Sequence, residues 1–357
     1  MIATHIDCTD LDAEVAWFRD ELGFSIHLVS PADDPARVVL RSKDGAVDLR
    51  RGEFDRPASL VVEAVSERTM TSPGGTSVAF VRPASSGPVG AEMPMPPSQP
   101  SLTVVAPSDD FGVGRAGMEY RDLLPDRWGG RFIASHIRIH DGGDVDDWVH
   151  FHRIRFQMIY VAAGWVDVVY EDQGAPFRMH AGDCVVQPPE IRHRVLRSSP
   201  GLEVIEIGCP AEHDTISDPS LALPNGRHRP DRDFAGQRFT RHVAADAELR
   251  SWVDPSWDVR ETGIGSATTG LADAVVVSPS RDRESTGETE VLAHDGEFVL
   301  VVGLSGNATI EVGERSVALT PRTSLAIPPD SLWAWRGADE EHRSLVIEMP
   351  AAAIRLA

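Results

Sequence analysis

Residues 149–165 read VHFHRIRFQMIYVAAGW. Apolar residues dominate this stretch and small residues close it, as in a buried β-hairpin, yet it contains His150 and His152, with Gln157 five residues further on. Residues two apart in a β-strand point to the same face, so the two imidazoles would project side by side, as two adjacent ligands of one ion must. With 13 histidines in 357 residues, an HxH pattern has a chance expectation of about one half. The spacing therefore needs support from the rest of the sequence.

Length and composition restrict the class of protein. The 357 residues suffice for two or three domains, and 41% hydrophobic with 25% charged residues is ordinary for a globular protein. The net charge of -21 disfavours nucleic acid and anionic membrane surfaces as partners. Cys8, Cys184 and Cys209 are odd in number and far apart, which favours free thiols in a reducing compartment. Because we find no long apolar run and no signal sequence, we expect a cytoplasmic protein.

The sequence from residue 115 onward is predicted to be mainly β, because short Val/Ile-rich runs recur between Gly, Pro and Asp clusters. Three segments of this part recur in the same order at an offset of about 140 residues, which predicts a tandem duplication of one β domain. They are 118–139 with 257–277, 156–171 with 298–313, and 185–195 with 325–335. The predicted domains are 1–82, a Pro/Ser/Gly-rich linker at 83–112, a first β domain at 113–222 and a second at 223–357.

The first repeat resembles the cupin superfamily, whose two sequence motifs are G(x5)HxH(x4)E(x6)G and G(x5)PxG(x2)H(x3)N. The second motif corresponds to GDCVVQPPEIRHRV, residues 182–195. The positions that keep the motif register are His150, His152, the Gln157 slot, Gly164, Gly182, Pro188 and His193. The departures from the pattern include these: Gly143 precedes the first histidine by one residue too many, Gln157 replaces the acidic ligand, and Glu190 replaces the glycine of PxG.

The resemblance implies tandem cupin jelly-roll barrels, a bicupin, with one divalent metal ion in the first barrel. It implies His150, His152 and His193 as metal ligands with Gln157 as the fourth, and we expect iron(II), with nickel, manganese, zinc and copper left open. A carboxamide oxygen is neutral and a weaker ligand than a carboxylate, so Gln157 could also stay off the ion. The alternative is that the three histidines are hydrogen-bonded core residues of a barrel without metal.

The second repeat lacks this ligand set. Alignment of the repeats puts Leu292, Val299 and Trp333 at the positions of His150, Gln157 and His193. Only the position of His152 keeps the residue type of the first repeat, as His294. We expect the second barrel to be a scaffold, with an apolar pocket near Trp333 and Trp335 as the alternative. Among other residues near the motifs, Cys184 is predicted to be core and Arg153 and Arg155 to face outward, while Arg138, Arg192 and Tyr160 are not assigned.

The N-terminal region has a different pattern, strand-like at Ile2–Cys8 and helical in DLDAEVAWFRDELGF. Leu11, Val15, Phe18 and Leu22 lie on one helical stripe that ends at Gly23, and strand-like runs follow. This β-α-β-β-β order resembles one module of the vicinal-oxygen-chelate (glyoxalase-like) superfamily. The position of that family's first metal ligand is Ala3 here, with His5 out of register, so we expect a packing or dimerising role instead of a metal site. The predicted fold class is thus mainly β, tandem cupin barrels after a small α+β module.

The predicted function is a metal-dependent cupin enzyme, most consistent with a mononuclear non-haem dioxygenase that acts on a small oxygen-rich or enolisable substrate. The resemblance to cupin dioxygenases, and no particular residue, implies the use of oxygen. A metal-dependent isomerase or lyase is an alternative within the enzymes. A binding protein that senses a metabolite, or a structural homodimer, is an alternative outside them.

Overall fold

The chain forms two compact units, residues 1–87 and 88–357. The computed structural model describes residues 3–31, 34–43, 45–53, 57–64, 66–81, 88–281 and 285–357. The part of the predicted linker at 83–87 lies outside the described residues. No helix in the described ranges is both long and apolar enough to cross a membrane.

The first unit contains the predicted strand–helix–three-strand order. Its four-stranded sheet contains, in spatial order, Ala3–Cys8, Ala46–Arg51, Arg37–Arg41 and Ser25–Ser30, and its three-stranded sheet contains Ser59–Glu63, Ser77–Val81 and Arg68–Thr71. The helix spans Leu11–Leu22, with Leu11 and Phe18 buried, and ends at Gly23 in the left-handed conformation (φ 70°), so the stripe prediction is confirmed. His5 is ion-paired with Asp7 at 3.1 Å. The glyoxalase-like resemblance of this unit stays a prediction.

The first barrel consists of two facing sheets in the second unit. The seven-stranded sheet contains, in spatial order, Thr240–His242, Cys184–Val186, Phe156–Ala163, Leu202–Cys209, Ile133–Ile139, Glu119–Asp122 and Gly112–Val113. The other sheet contains Phe177–His180, Trp165–Tyr170, His193–Ser198, His150–His152 and Thr215–Ser217, and Gly143–Asp144 also pairs with His193–Ser198.

The second barrel repeats this architecture. Its seven-stranded sheet contains Leu249–Ser251, Trp257–Glu261, Asp273–Pro279, Arg343–Met349, Phe298–Ser305, Ser324–Ala326 and Thr103–Val105. Its five-stranded sheet contains Arg315–Leu319, Ala308–Val312, Trp333–Arg336, Leu292–His294 and Ile354–Leu356. The remaining elements are a hairpin of Asp233–Phe234 with Gln237–Arg238, two one-turn helices at Arg127–Gly130 and Ile264–Ala267, and 3-10 turns at Gly90–Glu92, Arg115–Gly117 and Ala244–Asp246. The predicted fold class, mainly β with tandem jelly rolls, is confirmed.

The two barrels exchange edge strands. Thr103–Val105, which precedes the first barrel, pairs with Ser324–Ala326 of the second, and Thr240–His242, which precedes the second, pairs with Cys184–Val186 of the first. Thr103–Val105 lies within the predicted linker at 83–112, and Thr240–His242 lies after the predicted joint at 222/223; the predicted domain boundaries stay predictions. The exchange caps edges that would otherwise present unpaired backbone groups, and it ties the barrels together.

The facing seven-stranded sheets explain why the opening stretch is apolar throughout. Along Phe156–Ala163, Met158 and Tyr160 pack in the core between the barrels, whereas Ile159 and Val161 pack inside the first barrel. A strand that is buried on both faces shows a continuous apolar run in place of alternation. The same phase places Gln157 with Ile159 and Val161, on the side that faces the barrel interior.

Candidate metal centre

Three histidines meet inside the first barrel, although they come from two strands that are 40 residues apart in the sequence. His150 lies directly opposite His193 in the antiparallel pairing of their strands. The ring centroids of His150, His152 and His193 are 4.3 to 5.3 Å apart, and the three residues are at most 8% exposed. Within the described residues, they are the one group of three or more His, Cys, Asp or Glu side chains whose ligand atoms lie within 4.8 Å of one another.

Protein acceptors fix the orientation of two of the three rings. The Nδ1 of His150 lies 2.7 Å from the Trp148 carbonyl oxygen, and the Nδ1 of His193 lies 2.9 Å from that of Ile191. A carbonyl oxygen only accepts, so both Nδ1 atoms carry the proton and each Nε2 keeps its lone pair. The Nε2 of His150 is buried and has no hydrogen-bond partner in the described part of the chain.

His152 completes the set. Its Nδ1 lies 3.0 Å from the Thr215 hydroxyl, on the strand that pairs with it on the other side, and its ring is 5.4 Å from that of His213. With Nδ1 engaged, Nε2 is the available nitrogen of this ring too. Metal-binding histidines commonly use one ring nitrogen for the ion and the other for a protein partner, so this arrangement fits a divalent ion.

Burial also sets the protonation state of the three rings. Removal from water lowers the pKa of His150, His152 and His193, and neighbouring positive charge, including the Arg115 guanidinium, lowers each further. The pKa values of His152 and His193 fall well below the usual value. All three imidazoles are therefore neutral at neutral pH, which is the form that binds metal ions.

Gln157, the predicted fourth ligand, is 1% exposed. Its Nε2 donates a hydrogen bond to the Glu206 carboxylate at 2.5 Å. This contact assigns the amide orientation, because a carboxylate accepts and does not donate. The remaining amide atom, Oε1, is buried without a hydrogen-bond partner among the described residues. The carboxamide thus keeps a lone-pair-bearing oxygen available as a ligand.

The histidines border a cavity of about 80 Å³ inside the barrel, with His152 and His193 in its wall. Its other polar wall residues include Glu206, Tyr170, Gln187 and Arg115, among mostly apolar side chains. The Tyr170 hydroxyl accepts a hydrogen bond from Gln187 Nε2 at 2.8 Å, and complete burial raises the pKa of this phenol. The enclosed space suits a small ligand beside a bound ion.

Arg115 brings a positive charge to the cavity wall. Its guanidinium is ion-paired with Asp147, whose side chain is fully buried and also accepts a hydrogen bond from the Val195 backbone N–H at 2.9 Å. The Nη1 of Arg115 approaches His150 Nδ1 to 3.5 Å. No sequence motif indicated this pair, nor Glu206 and Tyr170.

The other arginines near the motifs have protein partners. Arg153 is ion-paired with Glu190, Arg155 with Glu297 and Arg192 with Asp218. Arg138 borders the cavity and is ion-paired with Glu119 at 2.7 Å.

Cys184 and Tyr160 both pack in the core between the barrels. Burial raises the pKa of the Cys184 thiol, which keeps it protonated and unreactive.

Glu190 explains how the second motif tolerates the loss of its glycine. It adopts a left-handed backbone conformation (φ 60°), which glycine adopts most readily. Its backbone N–H donates to the His152 carbonyl oxygen at 3.0 Å. The turn that leads to His193 is therefore kept without glycine.

The second barrel has the same register with other side chains. Leu292 lies opposite Trp333 as His150 lies opposite His193, and Val299 takes the Gln157 position. Trp333 and Trp335 are at most 1% exposed and pack in the barrel core, so they do not border an open pocket there. His294 places its Nε2 3.0 Å from the Ile327 carbonyl oxygen.

Comparison with known proteins identifies the fold. No protein-family model matches the sequence, and no curated protein matches it significantly. Three solved structures superpose on the chain. The values in parentheses are the sequence identity, the covered shares of this chain and of the other chain, and the TM-score. The structures are salicylate 1,2-dioxygenase from Pseudaminobacter salicylatoxidans (12%, 73% and 88%, 0.55), procruciferin, an 11S globulin from Brassica napus (10%, 72% and 86%, 0.51), and Bacillus subtilis oxalate decarboxylase, studied for its Mn(II) centres (12%, 75% and 80%, 0.50). At these identities the likeness establishes the bicupin fold and leaves the activity open.

Proposed function

We propose that the first barrel is a metal-dependent enzyme site that holds one divalent ion through the Nε2 atoms of His150, His152 and His193, with the Gln157 Oε1 as fourth ligand. The proposed activity is that of a mononuclear non-haem dioxygenase on a small oxygen-rich or enolisable substrate. The observation that carries the proposal is the convergence of three buried, neutral imidazoles whose other nitrogens are already engaged. Iron(II) is the first choice of metal, and manganese the second.

Unsatisfied polar atoms argue against a barrel core without metal. His150 Nε2 and Gln157 Oε1 have no partner among the described residues, and each such buried group costs about 1–3 kcal/mol. An ion between them would satisfy both. Because three imidazoles and one carboxamide are all neutral, the ion would keep its full double positive charge and would attract an anionic ligand.

The residues of the chain have separate roles in this proposal. The bound ion would supply Lewis acidity and open coordination positions for a chelating substrate and oxygen. The apolar wall excludes bulk water, Arg115 offers positive charge to an acidic substrate, and Glu206 is placed to accept a proton. Salicylate and oxalate, in the names of two structural neighbours, are both small carboxylates, which is the class that this cavity suits.

Elemental analysis of the natively purified chain tests the site. We expect about one ion per chain, and we expect the double variant His150→Ala/His193→Ala to contain almost none. The matched control is His294→Ala, which removes a buried histidine at the corresponding strand of the second barrel and should keep the metal. Unchanged metal content in the double variant would show that the ligand assignment is wrong.

Oxygen consumption tests the reaction class. The chain, reconstituted with iron(II) or manganese(II), is supplied with a panel of small hydroxylated and dicarboxylic acids in an oxygen electrode. A dioxygenase consumes one O₂ per substrate and puts both oxygen atoms into the product. Turnover without oxygen uptake would replace the proposal by a metal-dependent lyase or isomerase, and metal-dependent ligand binding without turnover would replace it by a sensor.

A further inference from the structure

A second cavity, of about 220 Å³, lies between the two barrels and shares no wall residue with the cavity at the histidines. Its polar wall residues are Arg121, His136 and Glu203 from the first barrel and Arg322 from the second. Nothing in the metal-dependent chemistry proposed above uses this space. Its charges and its backbone nevertheless show features that packing alone does not require.

Arg121 is a buried cation whose hydrogen bonds go to neutral groups. It is 5% exposed, and its guanidinium donates to the carbonyl oxygens of Ala106 at 3.0 Å and Arg322 at 2.9 Å. Its Nη2 also lies 3.3 Å from His136 Nδ1. The Nε of Arg121 is buried and has no partner in the described part of the chain. A buried guanidinium with an unused donor is costly unless an acceptor reaches it.

The negative charge at the cavity is already engaged. Glu203 Oε2 lies 2.9 Å from His136 Nε2, so this nitrogen donates to the carboxylate. His136 Nδ1 is then the acceptor for Arg121, and the imidazole in this chain of hydrogen bonds is neutral. Arg121, Glu203 and Arg322 together leave one positive charge in excess. Arg322 is 44% exposed, and its carboxylate partner, Asp109 at 3.5 Å, is 80% exposed, so water weakens that pair.

Arg322 stands where the corresponding turn of the first barrel has glycine. Gly182 N–H donates to the Val161 carbonyl oxygen, and Arg322 N–H donates to that of Gly303 at the same point of the repeated strand. Both residues are left-handed, with φ 95° for Gly182 and φ 71° for Arg322. This conformation is unfavourable for arginine, and such strain persists where the side chain has a use.

The fold does not require the His136–Glu203 pair of this cavity either. The strand pairing of the second barrel puts Val276 at the position of His136 and Arg343 at that of Glu203. Arg260 corresponds to Arg121. The second barrel therefore forms without a His–Glu pair at the equivalent place, and the first barrel has glycine in the turn that is equivalent to that of Arg322.

The rest of the cavity wall is apolar. Both barrels contribute, the first with Leu123, Ala162 and Ile205 and the second with Val302, Leu304 and Pro321. A cationic end beside an apolar body selects a ligand of the same two-part character. We propose that this interbarrel cavity binds a small organic monoanion, a monocarboxylate with an apolar body, whose carboxylate accepts from Arg121 Nε and pairs with Arg322. This site is independent of the metal site.

Thermal unfolding of the full-length chain with benzoate and hexanoate tests the site. Both should raise the unfolding midpoint saturably, whereas benzamide, which has the same body without charge, should not. Arg322→Gly removes the charge and leaves a residue suited to the turn, so the variant should fold and lose affinity by about tenfold or more. Arg250→Ala, a matched loss of an exposed arginine, should bind as the wild type does.

The comparison of variants separates this site from the metal centre. Benzoate and hexanoate should still raise the unfolding midpoint of the His150→Ala/His193→Ala double variant, because its substitutions lie at the other cavity. Loss of the shift there would mean that the anion binds at the metal centre and would overturn the proposal. An equal shift in Arg322→Gly, or no shift with either carboxylate in the wild type, would overturn it as well.

Discussion

The two barrels have the same strand register with opposite interiors. In the first, His150 faces His193 across an antiparallel pair, and in the second, Leu292 faces Trp333 at the same place. All four residues are at most 5% exposed. The second barrel thus shows that this architecture is built without imidazoles at these positions. The histidines of the first barrel therefore serve something other than folding, since buried polar groups cost more than leucine and tryptophan.

The second barrel uses its interior for stability. Trp257 and Trp333 both pack against Trp335, with ring centroids 4.9 Å apart in each of these two pairs. Such aromatic clusters supply large buried areas. The first barrel instead keeps a cavity beside its three histidines, so its interior gains less from packing. This difference between a barrel with a packed interior and a barrel with a cavity beside three histidines leads to four predictions, in order of expected effect.

Trp333→Ala should have the largest effect on stability. Truncation of a fully buried tryptophan costs about 3–5 kcal/mol, because it removes contacts and leaves a cavity. Urea unfolding at neutral pH measures the loss, and elemental analysis should show that the metal content is unchanged. A loss below about 1 kcal/mol, or a fall in metal content, would contradict the division of roles between the barrels.

Acidification should reveal a second-barrel histidine that is buried without an ion. Burial lowers the pKa of His342 to about 4, although Asp339 opposes the shift, and Ser344 Oγ is the neighbour of its Nε2 at 2.8 Å. The unfolded state binds the proton near pH 6.5 and the folded state only near pH 4, so stability falls as the pH decreases between these values. The loss from this one group is about 3 kcal/mol.

His342→Gln checks the assignment, because glutamine keeps a hydrogen-bonding side chain and does not titrate. The difference in unfolding free energy between the wild type and this variant should be constant above pH 6.5 and shift by that amount on acidification to pH 4. A difference that stays constant over the whole range would show that His342 titrates normally in the folded state.

The sequence contained enough to predict the fold and the three histidines. The motif spacing and the offset of about 140 residues between repeats depend on local order along the chain, and a strand period of two fixes which side chains share a face. The exchanged strands were missed because Thr103–Val105 is only three residues long and lies among prolines and serines. Edge strands of this length carry almost no pattern.

The rest of the site depends on contacts that no spacing encodes. Glu206 is one of two glutamates in an otherwise apolar strand, and only the folded sheet brings it to Gln157. Arg115 comes from a 3-10 turn between the edge strands Gly112–Val113 and Glu119–Asp122, and Asp147 from a loop. Single charged residues of this kind resemble surface residues in a sequence, and only their burial distinguishes them.

His150→Leu replaces a proposed metal ligand of the first barrel by the residue that the second barrel has at this position, Leu292. We expect the metal to be lost, because a divalent ion would keep only two imidazole ligands. The metal-free protein should change in unfolding free energy by no more than about 1.5 kcal/mol, since leucine has a similar volume and the register accepts it. Elemental analysis and urea unfolding in the presence of chelator measure the two effects. Retained metal would remove His150 from the ligand set.

Gln157→Val should have the smallest effect and decides whether the carboxamide coordinates. Valine is the residue of the second barrel at this position, Val299, so the strand should accept it. If Oε1 binds the ion, the dissociation constant of the metal should rise about tenfold, as expected for the loss of one neutral ligand. Gln187→Ile is the matched control, because it replaces another buried glutamine of the cavity wall by its second-barrel counterpart, Ile327. Competition with a chelator measures both constants, and equal values in the two variants would mean that the ion is held by the histidines alone.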